Sequence, residues 1–528
     1  MKKLPFLFLM MLLPMVASAE AVEIDGIYYN LIPKGKIAEV TTNPQKYRGV
    51  VTIPETVVYN GETYSVTNIG NNAFYDCGGL ESIALPNSIT SLGMQSFCLC
   101  TALSTVKLPE SLTTIGDQSF YHCVQLDSVD IPNSVTALGA GAFTYCLNLR
   151  TITLGNGITS LKSSLFSECH RLDTLVIPES VTSIESHAFY TCDSLTSVRI
   201  PDGVTKIGFR AFYYCQLLSD MKLPASLTSL GYETFRYCKS LESIDIPNGV
   251  TTIEKSTFDG CSGLYSVTIP SSVKRIEKWA FAKCKNLTNI YIPHSVYSME
   301  NAVFRNCDNL TSVTIGNGLT AISDEMFFNC PNLTSVTIGA NVKSIGQKAF
   351  AYCPALTDFY SYPQYPPSTG TDTFLDSYIQ FVTLHVPGSS VSAYQEAASW
   401  KDFMKIVELG EMPLADKCAT PTITLNDGQL TLACATEGAE CVWTLTCPYP
   451  FSGRGGIVRV PDYFVLTVYA AKDGWQDSDR VTATLVWGDA SVEGDNVIRL
   501  TGSGYDVNGD GRVDVADISA IISKMAGS

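Results

Sequence analysis

The chain has 528 residues, 45% of them hydrophobic and 16% charged, so it is too long for one compact domain and too apolar to be disordered. Its formal net charge of −16 argues against nucleic acid or anionic lipid as a partner, because both are held by basic patches.

Residues 1–19 carry Lys2 and Lys3, an apolar run from Leu4 to Val16 and the small-residue motif Ala17-Ser18-Ala19. That is the pattern of a secretory signal peptide. No later stretch reaches the ~18 apolar residues a membrane span needs. The expected location is therefore extracellular or at the cell surface, with no span of its own.

Residues 20–70 read as an N-terminal cap. Val51, Ile53, Pro54 and Val57 keep a strand register that returns later, while Asn60-Gly61 suits the two positive-φ positions of a type I′ hairpin turn. From 71 to 411 a unit repeats. Thirteen cysteines, Cys77 to Cys353, stand 23 residues apart, each with a phenylalanine three residues before it and a leucine three after. The unit reads F-x-x-C-x-x-L-x-x-V-x-I-P-x-x-V-x-x-I. One such piece cannot bury so many apolar side chains, but stacked coils can, so the period predicts a repeat solenoid built on a parallel β-sheet with an irregular convex side. An odd ladder of cysteines cannot pair off within itself, and no periodic His accompanies it. The ladder reads as small buried apolar thiols.

This F-x-x-C…L-x-x-V-x-I-P unit resembles the BspA-like leucine-rich repeat of exported bacterial surface proteins. The resemblance spans residues 20–411 and implies a secreted or cell-surface binding protein, without naming its ligand. After Ser361 the unit falters, returns once at Val382, Leu384, Val386 and Pro387, and gives way to an expected amphipathic helix over 391–406 whose Tyr394, Trp400 and Phe403 close the end.

Residues 412–488 lose the period and alternate as strands. They are similar to the small Ig-like β-sandwich (of the chitobiase C-terminal kind) appended to exported glycan-processing and surface proteins. Cys434 and Cys441 flank a short turn there, and a cross-strand disulfide between them is one of two open readings. A linker is expected over 489–504. Residues 505–528 then read as a calcium loop and helix. Asp506, Asn508, Asp510, Asp514 and Asp517 stand at loop positions 1, 3, 5, 9 and 12, Gly511 at 6, and Arg512 at 7 would offer its backbone carbonyl. Val515, Ile518, Ile521, Ile522 and Met525 share one face of the following helix. The loop resembles one half of a type I dockerin, which implies a cohesin-like partner, although Val515 and Ala516 replace the small polar residues often used for that contact.

Two columns are candidates for partner binding. Between the inward Val and Ile of each strand the side chain points outward, and its identity changes from coil to coil: Lys107, Asp130, Arg199, Lys222, Asp245 and Tyr291 among others. Beside the cysteines runs a tyrosine series that includes Tyr190, Tyr213, Tyr214 and Tyr237. The first column is either a recognition surface or neutral drift. The second is either a set of exposed contact residues or rings packed along the coil edge. The five histidines show no metal-ligand spacing, and no nucleophile elbow or phosphate loop is present. The sequence thus points to a non-enzymatic adhesion or binding protein for an extracellular protein or glycan. The alternative is a non-catalytic scaffold component of a polysaccharide-degrading assembly, recruited through the dockerin-like end.

Overall fold

The structure, a computed structural model, describes residues 21–409 and six strand segments between 422 and 500. The chain divides into two compact units, 1–409 and 410–528. In the first unit each 23-residue repeat forms one coil with three sides: a long strand, a short strand and a ribbon of tight turns. One coil illustrates it, with Ser128–Asp130 as long strand, Ala137–Leu138 as short strand and 139–146 as ribbon. Ser128, Val129 and Asp130 pair in parallel with Thr151, Ile152 and Thr153 of the next coil, and Thr114 and Ile115 pair with Ala137 and Leu138. Because the inward set recurs at a fixed 23-residue offset, a one-residue slip would expose every core side chain, and the register is strongly specified.

Inward columns fill the core. The phenylalanines stack from Phe74 to Phe350, with successive ring centroids between 5.0 Å (Phe74–Phe97) and 6.0 Å (Phe143–Phe166). Phe212, Cys215 and Leu218 of one central coil are all fully buried. The thiols line up beside the rings, and the Leu, Val and Ile of the two strands complete the layer.

The ribbon solves a backbone problem. Alternate N–H groups reach forward, from Gln95 to the Asp117 carbonyl, Phe97 to Ser119 and Leu99 to Tyr121, at 2.7–2.8 Å. The intervening ones, Ser96, Cys98 and Cys100, turn back three residues within their own coil. This alternation places the residues two before and two after each Phe in the left-handed region, as at Gln118 (φ 54°) and His122 (φ 61°). Each such residue costs about 1 kcal/mol, which the coil-to-coil bonds offset. Where the chain turns into the ribbon, coils approach so closely that a Cβ on Gly116 would stand 2.7 Å from the Gly93 carbonyl carbon.

The ends differ from the repeat, as stacking requires. At the start, Val22–Ile24, Ile27–Ile32 and Ile37–Val40 form an antiparallel meander, and Thr56–Tyr59 pairs with Glu62–Ile69 across the Asn60-Gly61 turn, whose φ values are 51° and 80°. Val51 pairs with Ile83, so the degenerate first coil is continuous with the long-strand sheet. Tyr47 tilts over Phe74 at 4.5 Å and ends the ring stack. At the other end the expected helix is shorter than 391–406. Only Val391–Glu396 is helical, and Lys405–Glu408 instead adds a last parallel strand to Thr383–Val386. Proximity of that open strand wins over the helical periodicity. Tyr394, Trp400 and Phe403 are buried, with the Trp400 indole N–H donating to the Pro367 carbonyl at 2.7 Å.

The second unit contains an antiparallel pair, Thr422–Asn426 with Gln429–Ala433, and a four-stranded sheet in the order Glu440–Thr446, Tyr463–Ala471, Val481–Trp487, Val497–Leu500. The last strand falls in the stretch 489–504 read as a linker. Its Val497-Ile498-Arg499-Leu500 pairs in parallel with 484–487, so that part is strand. Cys441 has Ala470 as its cross-strand neighbour. Cys434, the leader 1–19 and the calcium loop and helix over 505–528 lie outside the described residues.

Candidate functional site

The outward column of the long-strand sheet is the clearest candidate. Lys107, Asp130, Arg199, Lys222 and Asp245 are all exposed, as are Ala84, Thr153, Val176 and Thr268 in the same register. Strand pairing sets them side by side: Ala84 beside Lys107, Asp130 beside Thr153, Val176 beside Arg199, Asp245 beside Thr268. Each is flanked by apolar residues of the core, buried as Val106 and Leu108 are around Lys107 or half-buried as at Leu85 and Val267, so the column is fixed to a packed backbone. From Tyr291 onward the column becomes half-buried. There the strands lengthen to four residues and the ring of Tyr291 turns edge-on to His294 at 6.5 Å, with burial raising its hydroxyl pKa. Tyr291 therefore belongs to the column by register but not to its exposed part.

A shallow groove of about 390 Å³ crosses the column near its start, lined by Lys107, Asp130 and Thr153 and by the turn residues Glu110 and Asn133. Val176 is 64% exposed although apolar, and Arg199 bonds Glu179 across the surface at 2.9 Å. Charges of both signs beside an apolar side chain suit a partner read by side-chain contacts.

The tyrosine series does not join this column. Tyr190, Tyr213, Tyr214 and Tyr237 lie on the ribbon and are half-buried. Tyr190 and Tyr213 stack at 5.0 Å with a 9° interplanar angle, and Tyr237 meets Tyr213 and Tyr214 edge-on at 6.0 and 5.9 Å. Four cationic side chains surround them, a feature the sequence period hides because the cations come from different columns. His170 is likewise drawn between Glu168 (3.3 Å) and Asp193 (3.2 Å), the latter one repeat further along the chain. Among the described residues no group of three or more His, Cys, Asp or Glu is arranged to hold a metal, and no helix is long and apolar enough to cross a membrane.

The cysteine ladder has a role beyond filling space. From Cys100 to Cys353 every ladder thiol donates to the carbonyl of the phenylalanine in the preceding coil, at 3.0–3.3 Å. That carbonyl also accepts the N–H of its own coil's cysteine, as Phe97 does from Cys100 at 3.2 Å. Burial pushes the thiols well above their ordinary range, and Cys353 to about 12, which keeps them protonated and able to donate. In the last coil Ser377 stands where the cysteine would, and its hydroxyl donates to the Phe350 carbonyl at 2.5 Å. That Phe374-x-x-Ser377 echo was the one sequence signal that could have revealed the bond.

Against known proteins, a model described as "BspA type Leucine rich repeat region (6 copies)" matches over residues 67–196, 163–288, 229–357 and 276–395, more than half of the chain. Among solved structures, a leucine-rich repeat protein from Bacteroides ovatus is 24% identical, with 69% of this chain and 99% of that one covered and a TM-score of 0.49. A leucine rich cell surface protein from Faecalibacterium prausnitzii is 27% identical, covering 75% and 96%, with a TM-score of 0.45. The pneumococcal vaccine antigen PcpA is 18% identical, covering 74% and 98%, at 0.46. No curated protein matches the chain in sequence.

Proposed function

Because the chain belongs to the BspA-type leucine-rich repeat family, we propose that it is an exported, cell-surface adhesion protein that holds an extracellular protein or glycan on its long-strand sheet. One observation carries this reading. In nine consecutive coils, from Ala84 to Thr268, one register position is always exposed and changes identity, while the positions on either side of it stay apolar and are buried or, at Leu85 and Val267, half-buried. A rigid ladder of that kind presents contact groups whose order is already paid for by folding, so little conformational entropy is lost on binding. Residues 1–19 direct export in this reading. Asp506, Asn508, Asp510, Asp514 and Asp517, with the Arg512 carbonyl, hold one calcium ion that stabilises the C-terminal tail.

The test is a binding screen of the leader-free chain against extracellular-matrix proteins and glycans, repeated with Lys107→Ser, Asp130→Ser, Arg199→Ser and Lys222→Ser combined. These exposed substitutions should leave the melting curve unchanged and abolish retention of whichever probe the parent binds. Unaltered retention by the fourfold variant rejects the sheet as the site.

A further inference from the structure

The ribbon carries a second cluster that the sheet column does not use. Glu233, only 6% exposed, accepts from Arg210 at 2.5 Å and from Arg236 at 3.3 Å. Asp259, 2% exposed, accepts from Arg236 at 2.8 Å and faces Lys283 at 3.5 Å. These cations lie over the tyrosine rings, Arg210 5.2 Å from Tyr213, Arg236 5.0 Å and Lys283 5.9 Å from Tyr237, and Lys239 5.6 Å from Tyr214. Gly260 makes room for the arrangement: a Cβ there would run into the Tyr237 ring, which rests on the next coil.

We propose that this cluster is a separate binding site for an acidic polysaccharide, its sugar rings on the tyrosines and its carboxylate or sulfate groups on the cations. Four cations meet two carboxylates, so the cluster keeps two surplus positive charges on a chain whose formal charge is −16. The two carboxylates are buried and act inward, fixing the guanidinium groups in place before any ligand arrives. Half-buried tyrosine rings recur at the coil spacing with cations 5.0–5.9 Å from their centroids, and cation and ring together suit an anionic sugar. An acidic peptide fits less well. Its economical mode is strand addition, and here the backbone is consumed: Thr191, Tyr214 and Tyr237 donate to Tyr213, Arg236 and Asp259 of the next coil at 2.8–2.9 Å.

The experiment is gel retardation of the full leader-free chain through polygalacturonate, heparin, dextran and poly-glutamate at low salt. Retardation by polygalacturonate, by heparin or by both supports the proposal and identifies the anionic group. Tyr237→Asn and Lys239→Gln avoid the buried ion pairs, and Asn tolerates the positive φ of 64° at that position. Together they should weaken retardation by about tenfold or more, with a single cooperative unfolding transition retained, whereas the fourfold sheet variant should be retarded like the parent. The proposal is overturned by absence of retardation in both acidic polysaccharides, by equal retardation in dextran or poly-glutamate, or by indifference to the two ribbon substitutions.

Discussion

Replacing Cys215 by Ser and by Ala separates a hydrogen-bonding thiol from a space-filling one. Its Sγ donates to the Phe189 carbonyl at 3.1 Å in a fully buried position. Alanine removes the sulfur, worth about 1 kcal/mol of burial and packing. It also removes one of two bonds to that carbonyl. The Phe189 oxygen keeps the Cys192 N–H at 3.2 Å, so it is not orphaned and the second loss is about 0.5–1 kcal/mol. The sum is about 1.5–2 kcal/mol. Serine loses part of the packing but keeps a donor in the geometry Ser377 already adopts toward Phe350, and should cost about 1 kcal/mol or less. If the thiol were only apolar filler, the order would reverse, because a buried hydroxyl without an acceptor costs about 1–3 kcal/mol. Denaturant midpoints at matched m-values measure both variants. Serine more destabilising than alanine refutes the ladder bond.

The remaining expectations are simpler. Phe212→Ala, in mid-stack with neighbours at 5.0 and 5.6 Å, should cost about 3–5 kcal/mol in the same unfolding assay. Ladder thiols should resist alkylation in the native protein and react after unfolding, as mass spectrometry of labelled peptides would show. Burial, then the neighbouring Glu277 carboxylate, raises Glu254 to about 6 from its ordinary 4.5. A carboxyl whose folded pKa is raised opposes folding once ionised, so stability should fall as pH climbs from about 4.5 to about 6.5. Screening at this part-exposed site keeps the loss under about 1 kcal/mol. Glu254→Gln should flatten that slope and raise the melting temperature at pH 7. Calcium titration should show saturable binding in the ~10⁻⁵–10⁻³ M range that Asp510→Ala abolishes, with melting of residues 21–409 unaffected by chelator.

How much the sequence disclosed follows from what each feature depends on. The 23-residue period gave the coil, its inward Phe, Cys and Leu and its parallel register, because each is a local pattern repeated against itself. Asn60-Gly61 announced its own turn for the same reason. Position along the exposed column was legible too, but the point at which it becomes half-buried at Tyr291 depends on how long neighbouring strands grow. The helix over 391–406 was overestimated because its periodicity carried no information about the open strand edge that captures Lys405–Glu408. The cation cluster was invisible in one dimension. Arg210, Arg236 and Lys283 occupy three different columns and meet only because Glu233 and Asp259 are buried between coils. The thiol bonds span 26 residues and end on a backbone atom, which no residue pattern records.

The proposed adhesive role of the long-strand sheet is tested most directly by lysine footprinting of the full leader-free chain, with and without a matrix protein or glycan retained in the screen. Lys107 and Lys222 project from that face, whereas Lys34 stands in the N-terminal hairpin and serves as the internal reference. The account predicts that bound probe slows acetylation of Lys107 and Lys222 and leaves Lys34 at its free rate. Undiminished labelling of both sheet lysines under saturating probe contradicts it.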